Sequence, residues 1–307
     1  MLSDPEIRPT KVDRPSDVTG LVDTGDLTAV PRDPADVKAV MESVVRLSDK
    51  KTANINATTV VQDLIKCGYL NAADIADRFV GKEVSPDDRN AVLPADQIIV
   101  NDNGGIFTEA EFDGDGEFRK TASVMKMVID RHAGAGTIQM GGFDYHTGDR
   151  STGEVRDLRA GKCIGACLEY ARRMNTPVMI YVFSDGSVAS NGALDGTING
   201  RGKGVWTGDN SATAAGFFLV FNPSGRATLF SDSSIATGAQ IGWFNTGGSV
   251  VTSSAPSANN VNLLVDTVLL NYLALHGEET LFGGLFGNSL GSTTVRDSLT
   301  AFGKITV

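Results

Sequence analysis

The apolar positions of this chain change their period along its length, and the changes divide it into three stretches. Residues 1–35 show almost no apolar periodicity and hold half of the ten prolines, a pattern that predicts an extended arm. From Pro34, the positions Val37, Val40, Met41, Val44, Val45 and Leu47 recur at helical spacing. Val60, Val61, Leu64 and Ile65 repeat the pattern before Gly68, and a third short run covers 72–80. Together with a turn-rich segment over 84–118, which holds one strand-like run at 97–100, these predict a small helical and turn-rich layer over 36–120.

From residue 121 helix and strand patterns alternate. Val124, Met125, Val128 and Ile129 mark a helix, and a strand follows at 137–140. Leu158, Cys163, Ile164, Cys167, Leu168 and Ala171 mark the next helix, before a β-branched and aromatic strand at 178–183. Further strands fit 216–221 and 227–230, and a long apolar helix over 261–276 stops at Gly277. Continuous apolar strands alternating with helices predict an α/β core over 121–307, a largely parallel sheet sandwiched by helices. In such sheets the functional groups lie just past the C-terminal ends of strands.

Composition narrows the function. At 307 residues, 41% hydrophobic and 21% charged, the chain has the makeup of a globular protein with one large core or two modest ones. A formal charge of -10 argues against nucleic acid as a ligand, because phosphate backbones are met by clustered Lys and Arg. No run reaches the ~18 apolar residues of a membrane span. The polar opening, Met1 to Pro9, lacks the apolar core of a secretory signal, so the compartment stays open between the cytoplasm and an extracellular or viral assembly. The three cysteines form no disulfide framework. Cys163 and Cys167, four apart on a helix, read as small core residues, because no two further zinc ligands stand nearby.

Several motifs fail on their spacing. Gly287-Asn-Ser-Leu-Gly291 has the nucleophile-elbow spacing, but no histidine follows Ser289 to complete a triad. Gly196-Thr-Ile-Asn-Gly-Arg-Gly-Lys-Gly204 puts five residues rather than four before its Gly-Lys pair, and Gly204 stands where a phosphate loop needs a hydroxyl. In Phe112-Asp-Gly-Asp-Gly-Glu-Phe118, counted from Asp113, the sixth calcium-loop position is Phe118 and the twelfth is Val124, so the segment reads as a solvated loop. His132 and His276 close helices and read as structural. Asp144 and His146 differ, because they follow a strand and two glycines, a common way to present metal ligands. Asp185 follows the 178–183 strand in the same way.

Taken together, Gly-Gly-Phe-Asp-Tyr-His at 141–146 and Val-Met-Ile-Tyr-Val-Phe-Ser-Asp-Gly at 178–186 resemble a bacterial family of uncharacterised, usually exported proteins in the alkaline phosphatase/sulfatase superfamily. The resemblance spans roughly residues 120–280 and implies an alkaline-phosphatase-like core. In that superfamily paired zinc, magnesium or calcium ions polarise a phosphate or sulfate ester and activate a Ser, Thr or modified Cys nucleophile. Carried over by position, it implies Asp144, His146, Asp185 and Asp209 as metal ligands. The expected later histidine is replaced by Asn210, and neither a nucleophile nor the early metal-bearing Asp is present.

The expectation is therefore a non-catalytic structural or assembly subunit without a cofactor. It would self-associate, as a homo-oligomer or with other structural proteins, through its arm and its Gly- and Ser-rich loops at 186–215 and 231–258. A virion or filament component would fit. The alternative is a metal-dependent phosphate- or sulfate-ester hydrolase with a reduced divalent-metal site. A metal-free carbohydrate- or surface-binding module would rest on Trp206 and Trp243 alone.

Overall fold

Proline opens the first helix, α1 (Pro15–Leu21), at a position where no intrahelical N–H is required. The Asp17 carboxylate accepts the backbone N–H groups of Asp13 and Arg14, capping donors that the first turn leaves free. Val18 is fully buried and α1 packs against a later helix of its own unit, so this part of the expected extended arm is helical. The computed structural model describes residues 11–21, 34–53, 67–68, 83–143, 150–184, 187–198, 200–210, 215–230, 240–243, 245–246 and 251–305. Contacts divide the chain into two compact units, Met1–Ile138 and Gln139–Val307.

In the first unit the helical pattern from Pro34 forms α2 (Pro34–Thr52), which buries Val45 and leaves Leu47 exposed. The turn-rich segment gains its order from one carboxylate. Asp88 accepts the N–H groups of Ile98 and Ile99 on Oδ2, both at 2.7 Å, and that of Val100 on Oδ1 at 2.8 Å. This pins Ile99 and Val100 into the core, where Val100 bridges to Phe107 and Phe107 stacks on Phe118 at 5.1 Å.

The acidic run after Phe107 is helical. Thr108 and Glu111 form a reciprocal capping box on α3 (Glu109–Gly114). Asp115 then closes α3 with its N–H and caps α4 (Gly116–Ile129) by accepting from Glu117 N at 2.9 Å. Asp113 pairs with Arg89 at 2.7 Å. The segment that reads as a solvated loop is thus two helix ends joined by a shared cap.

In the second unit α5 (Arg150–Arg173) leads to β1 (Val178–Val182), and β2 (Ser187–Asp195) and β3 (Lys203–Asn210) form a bulged antiparallel hairpin. β4 (Phe217–Phe221) then pairs antiparallel with β1, Val178 opposite Phe221 and Val182 opposite Phe217. A parallel return needs a crossover of a dozen or more residues, usually a helix. Here a hairpin fills the connection, so the strand comes back antiparallel. Among the described residues both ladders are two-stranded and antiparallel, and 137–140 forms no strand. The largely parallel sheet expected over 121–307 is not formed there.

The core of this unit surrounds α6 (Val261–His276). Asn260 caps its start by accepting from Leu263 N, and Gly277 ends it in the left-handed conformation at φ 73°. Leu270 packs with Phe282 on α7 (Phe282–Phe286), with Leu290, and with Leu299 on α8 (Thr293–Leu299). The segment after α8 then runs beside 228–230, with Leu229 bridged to Phe302, and Ile305 N donates to Leu275 O at 2.9 Å. That last bond brings the 301–305 segment against the end of α6.

Candidate functional site

The residues implied as metal ligands meet the structure unevenly. Asp144, His146 and Asp185 lie outside the described residues. Asp209 sits in β3 opposite Val188 of β2. Among the described residues no three His, Cys, Asp or Glu side chains gather to hold a metal ion.

The approach to Asp144 is described as far as Phe143. Gly142 is left-handed at φ +88°, and a Cβ there would stand 3.2 Å from Arg156 Nε, so the α5 guanidinium lies close against the turn. A side chain at 142 would be strained by φ and crowded by Arg156. Glu154, on the same helix, pairs with Lys203 of β3 at 2.5 Å and ties the hairpin to α5. The Gly-rich segment at 196–204 lies at the hairpin's turn, where Asp195 accepts from Thr197 N and Gly202 N.

Cys163 is buried, and burial is the first cause pushing the Cys167 thiol up to about 12, with the neighbouring Cys163 adding to it. At neutral pH such a thiol is protonated and is neither a nucleophile nor a ready metal ligand.

Two clefts among the described residues have room for a small ligand. In the first unit a cleft of about 530 Å³ is lined by Lys11, Arg14 and Arg119 together with Asp13 and Asp17. Its charges already satisfy one another. Lys11 pairs with Asp13 at 2.7 Å and Arg14 with Asp17 at 3.3 Å, while Arg119 donates to the carbonyls of Phe112 and Asp113.

The second unit holds a cleft of about 420 Å³ where the start of β1, the end of α6 and the 301–305 segment meet. Tyr272, His276 and Lys304 line it beside Met179, Leu275 and Ile305. The Tyr272 and His276 rings meet edge to face at 4.7 Å. A Cβ at Gly277 would lie 2.9 Å from Lys304 Cδ, so the lysine stem crosses the helix end at its glycine. Sequence reasoning treats His276 as a helix-end residue and passes over Lys304, because nothing local signals that residues 28 positions apart become neighbours.

No family model, no curated protein and no solved structure matches this chain. No helix of the described residues is long and apolar enough to cross a membrane.

Proposed function

We propose that this chain is a non-catalytic, self-associating subunit, acting as a homo-oligomer or within a larger structural assembly. The observation that carries this reading is the β1/β4 ladder. Its strands, Val-Met-Ile-Tyr-Val and Phe-Phe-Leu-Val-Phe, are apolar throughout, yet no residue of either is fully buried. Phe183 and Phe217 at its end are 63% and 51% exposed, and among the described residues neither strand has a second neighbour. Apolar strands with open edges are templates for adding another strand.

Light scattering across a concentration series tests the reading. The wild-type chain is expected to grow beyond a monomer, and Phe217→Glu with Phe183→Glu to return it to one. A wild-type chain that stays monomeric at high concentration would remove the proposal.

A second reading, a metal-dependent phosphate- or sulfate-ester hydrolase, is supported by the motif at 141–146 and by Arg156 against the Gly142 turn, a cation suited to an ester anion. It requires bound divalent metal in the purified protein that is lost in Asp144→Ala and His146→Ala. Metal analysis finding none in the wild type would sink it.

A further inference from the structure

The geometry points to the cleft between β1, the end of α6 and the 301–305 segment as a binding site for an amphipathic anion, a carboxylate or phosphate monoester carried on an apolar body. Neither the sequence motifs nor the self-association reading assigns this site. All three of its polar side chains can donate hydrogen bonds. Lys304 can only donate, and Tyr272 and His276 can each donate as well. No carboxylate lines the cleft, and none of the three side chains makes a hydrogen bond or ion pair with a described residue. Among the described residues no acid pairs with the Lys304 ammonium.

The remaining wall is apolar. Leu275 and Ile305 are buried, and Met179 is half-buried on β1. A volume of about 420 Å³ falls in the range of small-molecule sites, which are mostly apolar with a few convergent polar groups. An anion would accept a charge-assisted hydrogen bond from Lys304 and further hydrogen bonds from Tyr272 and His276. Its apolar body would lie against the half-buried Pro177, Val178 and Met179, over the buried Leu275 and Ile305. A cation would be repelled by Lys304, and a wholly apolar ligand would leave the donors facing hydrocarbon.

The cleft is also held in shape. Ile305 N bonds to Leu275 O, and Asn271 anchors Ala301 N at 2.8 Å, so the segment bearing Lys304 is fixed at two points to the helix bearing Tyr272 and His276. The lysine stem lies over Gly277, where a larger residue would displace it. The backbone that bears Lys304 is thereby held at the cleft.

Calorimetric titration of the full chain with octanoate, octyl phosphate and inorganic phosphate tests the site and separates its two anion sources. At least one amphiphile is expected to bind saturably, with inorganic phosphate at least about tenfold weaker because it lacks the apolar body. Lys304 and Tyr272 are exposed, so Lys304→Gln and Tyr272→Phe should preserve the fold, which circular dichroism checks. Lys304→Gln is expected to weaken the bound amphiphile about tenfold or more and Tyr272→Phe by a smaller factor. Three results would each overturn the proposal. These are no saturable binding of either amphiphile up to about 10 mM, affinity unchanged in Lys304→Gln, and phosphate binding as tightly as the amphiphiles.

Discussion

Asn271, in the middle of α6, accepts a hydrogen bond from the main-chain N–H of Ala301, 30 positions later, at 2.8 Å. Its amide also donates to Leu299 O at 2.8 Å and Thr267 O at 2.9 Å. Asn271 and Ala301 are both buried, so these bonds have no solvent substitute. One polar side chain thus fixes the path of the 301–305 segment. Asn271→Leu should destabilise the second unit by about 2–4 kcal/mol, because it strands buried backbone groups and adds no partner. Urea unfolding should show the lowered midpoint, and an unchanged midpoint would refute the anchor.

Asp88 does comparable work in the first unit by accepting from three consecutive backbone amides. Ile99 and Val100 are fully buried, so their N–H groups would be orphaned in Asp88→Ala. The expected cost is about 2–4 kcal/mol. Hydrogen exchange should speed up at Ile99 and Val100 well before it does elsewhere in the unit, a pattern that a general loss of stability would not give.

Thiol chemistry should separate the three cysteines. Cys67 is exposed, Cys163 is buried, and the Cys167 thiol is pushed up to about 12. At about pH 8 a thiol reagent should modify Cys67 promptly and leave the other two until the chain unfolds. Rapid native modification of Cys167, mapped by mass spectrometry, would contradict its place in the helix packing.

Arg172 and then Arg173 hold the Glu169 carboxyl at about 2, below its ordinary 4.5, through bonds of 2.7 and 2.8 Å. A depressed carboxylate contributes stability that is complete above its unfolded value. That contribution is lost as pH falls from about 4.5 through about 2. The group is partly exposed, so the contribution should be under about 1 kcal/mol. Glu169→Gln should therefore lower stability slightly at neutral pH, and the difference from wild type should close across that acid window. A difference that persists at the acid end would point to packing as its source.

Much of the helical structure was legible in the sequence. The 261–276 helix is legible to its last residue, because an apolar run and a terminating glycine are local signals; the Asn260 cap agrees with them in the structure. Strands at 178–182 and 217–221 announced themselves through β-branched and aromatic content. Their pairing direction did not, since it depends on what fills the connection between them. The acidic run at 112–118 misled for a similar reason. Asp113 is explained by Arg89, 24 positions away, and Asp115 by the helix it caps.

The candidate site divides along the same line. Asp144, His146, Asp185 and Asp209 are a statement of sequence pattern, in which neighbours along the chain suggest a shared chemistry. The cleft of Tyr272, His276 and Lys304 exists only because Asn271 and Leu275 bind the segment that carries the lysine. Periodicity, caps and composition are set by residues a few positions apart, and the chain alone determined them. Strand direction and the meeting of distant donors depend on long-range contacts, and only the tertiary structure decided those.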